Sequence, residues 1–172
     1  SAAFECSDIE QIMDKALACI PAESRYAAVV NAAREYRRAH PEDDWHGCRQ
    51  MLEEQWGYDR YPGACHVIPN AGVCALALTY GAGDFCRTIE IATMCGWDTD
   101  CNAGNVGTIV GVLNGIGASP THYRDPINDE LVLSSASGYL NILDVPSYVW
   151  QLCRWVYVLR GEAVPEEVAS HV

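Results

Sequence analysis

The sequence has no apolar run long enough to cross a bilayer. Its two longest candidates, Val67 to Leu78 and Thr108 to Ile116, both contain glycine and fall short of the roughly 20 residues that a spanning helix needs. Basic side chains are scarce, 11 against 23 acidic ones, for a net charge of -12. Such a chain repels phosphate backbones and anionic lipid, so nucleic acid and the membrane surface are excluded as partners on charge grounds. No Cys-x-x-Cys pair occurs among the nine cysteines, their number is odd, and Cys19, Cys74, Cys86 and Cys153 lie in apolar stretches. This argues against a zinc site or a disulfide framework and for buried free thiols in a reducing, cytoplasmic compartment. The opening Ser1-Ala2-Ala3-Phe4 has neither the basic nor the long apolar stretch of a signal peptide. It also lacks Met, and its small apolar residues suit the end of a helix, so the natural chain is expected to extend upstream.

Strand-like alternation is lacking throughout, and what is present has helical spacing. At 172 residues, 49% of them hydrophobic, the chain suits one all-α domain with a sizeable core. Ser7-Asp8-Ile9-Glu10 matches a capping box ahead of Ile9, Ile12, Met13, Ala16 and Leu17, which predicts a helix from about Asp8 to Cys19 with Ser7 as its cap. After Pro21, a second helix ends before Pro41, with Tyr26, Val29, Val30, Ala33 and Tyr36 on one side and Arg34, Arg37 and Arg38 on the other. Acidic Glu42, Asp43 and Asp44 suit the first turn of a third, whose apolar stripe runs from Trp45 to Trp56.

Gly57 to Gly63 reads as a loop. From Asn70 to Tyr80 almost no polar face remains, which predicts a helix buried on all sides and stopped by Gly81-Ala82-Gly83. Asp84 is the expected N-cap of an antiparallel neighbour, Phe85 to Cys95. Further helix is expected from Thr108 to Ile116 and from Asp144 to Leu159. Pro120 to Asp129 should form a loop, and the acidic tail over 161–172 should fray.

The chemistry is concentrated after the fifth helix. Asp98 and Asp100, two residues apart and followed by small polar side chains, offer the converging oxygens that a hard divalent cation asks for. In a helix starting near Asp100, Gly104, Gly107, Gly111 and Gly115 all fall within about 60° of Asp100, one nearly bare stripe at 100° per residue. Glycine costs roughly 1 kcal/mol each in a helix, and close packing of a second helix would account for four on one face. An EF-hand calcium loop competes, because Asp98, Asp100 and Asn102 copy its first, third and fifth positions. It fails at the sixth and twelfth, where Ala103 and Ile109 replace Gly and a bidentate Glu.

His66, Asn70 and Asn102 are candidate substrate contacts, the two asparagines suiting a ribose hydroxyl or a bound water. Helix caps and satisfied structural groups are the alternatives for all three. Trp97 suits either a stacked base or the core. Cys65 and Cys101 pair only if the fold joins them, and nothing marks His and Asp partners for a nucleophilic Cys101.

His66-Val67-Ile68-Pro69-Asn70, Gly81-Ala82-Gly83-Asp84-Phe85 and Gly96-Trp97-Asp98-Thr99-Asp100-Cys101-Asn102-Ala103-Gly104 together resemble the C-terminal half of ADP-ribosylglycohydrolases, in a pattern running from about Ser1 to Ala118. The resemblance implies an all-α, multi-helix orthogonal bundle, with residues 1–160 as its C-terminal part. It also implies two Mg²⁺ ions, or Mn²⁺, per complete site, with Asp98, Asp100 and Cys101 at the positions of the metal ligands. The implied reaction is hydrolysis of the bond between ADP-ribose and a modified acceptor; the alternative is a non-catalytic ADP-ribose-binding or structural member of the same fold.

The sequence departs from the family in two places. Cys101 replaces the usual Ser or Thr, a thiol that Mg²⁺ binds poorly. The Thr/Ser-Asp-Asp motif of the family's N-terminal half has no counterpart either, since Asp43-Asp44 follows Glu42 in a charged helix start. The remaining ligands, the general base and much of the pocket are therefore expected in an N-terminal half, without which these residues alone would be inactive.

Overall fold

The computed structural model describes residues 1–132 and 142–171, which divide into two compact units, Ser1–Ser119 and Pro120–Val172. The first unit is a bundle of six helices: α1 (Ile9–Leu17), α2 (Arg25–Ala39), α3 (Trp45–Trp56), α4 (Val67–Gly81), α5 (Phe85–Met94) and α6 (Thr99–Asn114). Helix α4 is its axis, packed by α2, α3, α5 and α6. It is buried along most of its length, at Ile68, Pro69, Ala71, Val73, Ala75, Leu76, Ala77 and Leu78 among others. The near absence of polar side chains follows from that position, because a helix surrounded by helices has no solvent face to furnish. Pro69 is tolerated because it falls in the first turn, where its missing N–H has no intrahelical acceptor to lose. Leu52, Leu76, Ile91, Val29, Val73, Val106 and Val110 close the core around it.

Short polar side chains set where the helices begin. Ser24 accepts from the Ala27 amide at 3.2 Å, Asp44 from His46 at 2.9 Å and Asp84 from Arg87 at 2.7 Å, each satisfying an amide left without an intrahelical acceptor. Helix α1 departs from the expected capping box. Asp8, not Ser7, is the cap, accepting from Gln11 at 2.9 Å. Glu10 does not reach back to the cap but turns to α2, where it and Asp14 both accept from Arg34 at 2.7 Å. Arg34, on the side of α2 away from the expected apolar stripe, is buried nonetheless, tying α1 to α2.

The expected glycine stripe also resolves differently. Gly115, with φ of +73°, ends α6 and is not part of the stripe. A Cβ on Gly104 would meet open space, and one on Gly107 or Gly111 would make ordinary contact with Ile89 or Phe85 at 3.4 and 3.7 Å. Close approach occurs instead on α4. A Cβ on Gly81 would lie 2.0 Å from Thr88 Oγ1 and 2.9 Å from Thr88 Cα, and one on Gly72 would lie 2.9 Å from a Val29 methyl.

The second unit holds a short helix α7 (Thr121–Arg124), where a loop was expected, then strand β1 (Glu130–Val132). After the undescribed residues follow β2 (Ile142–Asp144), α8 (Val145–Arg160) and α9 (Glu166–Ala169). β1 and β2 pair antiparallel with Glu130 opposite Asp144. At three residues each they are too short to display an alternating pattern, and the class remains all-α. The tail expected to fray contains α9, with Val168 buried and His171 stacked on Trp150 at 4.4 Å between ring centroids.

Among the described residues, no helix is long and apolar enough to cross a membrane.

Candidate metal and substrate site

The α5–α6 connection is a tight turn in which Gly96 (φ +76°) and Asp98 (φ +44°) both take the left-handed conformation. Aspartate tolerates that region better than most residues. The turn leaves Asp98 at the N-cap of α6 and Asp100 in its first turn, near the positive end of the helix. Donor atoms of Asp98, Asp100 and Cys101 lie within 4.8 Å of one another. Asp98 is partly exposed, while Asp100 and Cys101 are exposed. The structure thus brings the three expected ligands together. Among the described residues, neither carboxylate has a basic ion-pair partner.

Helix α4 supplies the support. Asn70, in its first turn, donates its amide N–H to Asp98 Oδ2 and accepts from the Tyr58 hydroxyl. Burial, followed by the nearby Cys65 thiol and the Asp98 carboxylate, pushes the Tyr58 hydroxyl up to about 12, so it stays a donor at neutral pH. His66 caps α4, its Nδ1 accepting from the Ile68 amide at 3.2 Å while the ring stacks on Tyr61 at 4.8 Å. With Nδ1 accepting, Nε2 is the ring nitrogen left to donate.

Asn102 differs from the expected substrate contact. It is fully buried, donating to the Trp97 carbonyl at 2.6 Å and accepting from the Cys74 thiol at 3.4 Å. Its amide is spent fastening the start of α6 to the turn before it and to α4, which leaves it no free face for a ligand. Trp97 is a core residue, held between the Arg49 guanidinium, 3.8 Å from the ring centroid, and the Tyr58 ring at 5.0 Å. Arg49 also donates from Nε to the Cys95 carbonyl at 2.9 Å and so braces the turn from α3.

Sequence reasoning missed Tyr58 and Arg49 as supports. Tyr58 lies in a segment read only as loop, and Arg49 is one charge among several on α3; no local pattern distinguishes either. The fold does bring Cys65 and Cys101 to one place, since the Asp98 carboxylate acts on both thiols. The negative charge of Asp98 raises Cys65 above the usual thiol range, and the bond to Asp98 followed by the charge of Asp100 does the same to Cys101.

The two carboxylates, convergent and uncompensated, fit a divalent cation: Asp98 has one oxygen held by Asn70 and one left over, and Asp100 is open to solvent. The thiols are poor donors for Mg²⁺. No curated protein and no solved structure matches the chain. Residues 1–159 match a family model described as ADP-ribosylglycohydrolase. That span contains α1 to α6 with the whole Asp98 cluster and its Asn70 support, and a match over so much of the sequence places this chain in the ADP-ribosylglycohydrolase family.

Proposed function

We propose that the protein is a divalent-metal-dependent hydrolase that cleaves the glycosidic bond between ADP-ribose and a modified acceptor, with Asp98 and Asp100 holding metal. Family membership supplies the class of reaction. The observation that carries the metal assignment is the convergence of Asp98, Asp100 and Cys101 without a basic partner among the described residues. Mg²⁺, two ions in a complete site, or Mn²⁺ is the cation the carboxylates suit. A bound divalent cation would act as a Lewis acid on ribose hydroxyls and on water.

The protein's own residues orient and hold. Asn70 fixes Asp98 through one oxygen and so directs the other outward. His66 presents Nε2–H as a donor for a ribose hydroxyl, because Nδ1 is occupied by the Ile68 amide. Asn102 acts by position, locking the α6 start against α4. The general base and the remaining ligands are assigned to an N-terminal half of the same protein, which is its first partner, ADP-ribose or an ADP-ribosylated substrate being the second. Nine free thiols suit the cytoplasm.

The test is turnover of ADP-ribosylated arginine, serine and nucleobase substrates by the full-length protein, with and without Mg²⁺ and after Asp100→Ala. Loss of turnover in the variant and on chelation is expected. Unchanged turnover in Asp100→Ala would sink the metal assignment. One observation favours a second reading, a non-catalytic ADP-ribose-binding or structural protein: the Cys101 thiol, which the neighbouring Asp98 and Asp100 hold in its protonated form, stands at a position where the family carries a hydroxyl residue. Calorimetry showing tight ADP-ribose binding without turnover on any substrate would support it.

A further inference from the structure

Helix α8 is apolar at most of its positions, yet none of its residues is buried. A helix with so little polar surface is ordinarily enclosed, as α4 is. Within the second unit α9 packs against α8, and Trp150 stacks on His171. The side of α8 opposite Trp150 carries an apolar stripe. Val145, Leu152 and Leu159 fall within about 20° of one line, Val149 and Val156 about 40° to 60° to one flank, and Tyr148 and Trp155 as far to the other. These side chains are 38% to 86% exposed. Tyr148 meets Trp155 edge to face along its flank, 6.5 Å between ring centroids. No charged residue lies in the stripe, since Arg154 falls on the far side of the helix from Leu152.

The stripe is self-complementary. In a two-fold antiparallel pair centred on Leu152, each flank faces the same flank of the second copy, running the other way. Leu152 then meets its own counterpart, Val145 meets Leu159, Val149 meets Val156, and Tyr148 meets Trp155. The last pair extends the aromatic contact within one helix to a cluster of four rings, and the helix dipoles oppose one another head to tail. The stripe exposes on the order of 600 Å² of apolar surface, so pairing covers roughly 1,200 Å² in all, the lower bound of standard specific interfaces. A lipid surface suits α8 less well, because the net charge of -12 repels anionic headgroups and the helix sets only Arg154 and Arg160 against that.

We propose that α8 forms the interface of an isologous dimer of this chain, antiparallel and centred on Leu152. The proposal does not rest on the hydrolase reading, and turnover enters none of its outcomes.

The test is sedimentation velocity of the purified protein over a range of concentrations, where a species of twice the mass of one chain is expected. Leu152→Glu should weaken that dimer by about 10- to 100-fold, with the helical circular dichroism unchanged, because the residue is not part of a monomer core. Val158→Glu, at an exposed position about 120° around the helix from Leu152, should leave the dimer intact. Added salt should tighten the dimer by screening the repulsion between two acidic copies. In Leu152→Cys under mild oxidation, peptide mapping should find the two copies linked through position 152. A monomer at every concentration, a dimer indifferent to Leu152→Glu, equal loss in Val158→Glu, or a dimer without the link at position 152 would each overturn the proposal. Sedimentation with vesicles of phosphatidylserine and phosphatidylcholine, without self-association, would assign the stripe to lipid and overturn it as well.

Discussion

Asn70 and Asp98, 28 residues apart in the chain, are joined by a hydrogen bond from the amide of one to a carboxylate oxygen of the other. The buried helix α4 thereby sets the direction of the first metal-candidate carboxylate on the exposed turn before α6. Supports of this kind tune affinity without touching the ion. Asn70→Ala should therefore lower divalent-cation affinity by about 10- to 100-fold, measured by calorimetry. Its cost in stability should be about 1 kcal/mol, the worth of an ordinary hydrogen bond, because the residue is only half-buried.

The glycines of α4 and α6 make opposite demands. Gly81→Ala puts a methyl 2.9 Å from the Thr88 backbone and closer still to its hydroxyl, and should destabilise by about 1–3 kcal/mol, as overpacking does. Gly104→Ala, in helix with open space around its Cβ position, should stabilise by up to about 1 kcal/mol through helix propensity. Denaturant midpoints of the two variants should move in opposite directions.

The contrast between these glycines shows what the sequence made legible. Its spacing located α1 to α6, because caps such as Asp84, breakers such as Pro41 and the apolar periodicity all act within one or two turns of chain. The Asp98–Asp100 pair was legible for the same reason. Partners were not: Arg34 reads as one of three arginines opposite the apolar stripe of α2 until Glu10 and Asp14, 24 and 20 residues away, are brought against it. The glycine stripe of α6 suggested close packing, yet the helix that needs bare glycine is α4, where Gly81 meets Thr88. Asn102 looks like a ligand contact in sequence and is consumed by the Trp97 carbonyl and the Cys74 thiol in the fold. Each of these depends on which helix lies opposite, and periodicity does not encode that.

The displaced cap of α1 offers a direct comparison. Asp8 accepts the Gln11 amide, whereas Ser7 lies one residue outside the helix cap. Asp8→Ala should cost about 1 kcal/mol, within the usual range for an N-cap, and Ser7→Ala should leave thermal stability within about 0.5 kcal/mol, as at an ordinary surface position. Equal losses from both changes would restore the capping box.

The thiols beside Asp98 provide a prediction with a definite sign. A neighbouring carboxylate disfavours the thiolate, and Asp98 is the first cause of the rise at both Cys65 and Cys101. Alkylation proceeds through the thiolate, so at a fixed pH near 8 these two cysteines should react slowly for exposed residues. Asp98→Asn removes the negative charge that holds both thiols above their usual range. Their titration should then fall to lower pH and their alkylation quicken. Cys48 and Cys95, which burial pushes up to about 12, should remain unreactive in both proteins. Peptide mapping by mass spectrometry after timed iodoacetamide treatment reads all four positions in one experiment. Unchanged rates at Cys65 and Cys101 in the variant would show that Asp98 does not govern these thiols, and would remove the electrostatic link between the turn before α6 and the loop before α4.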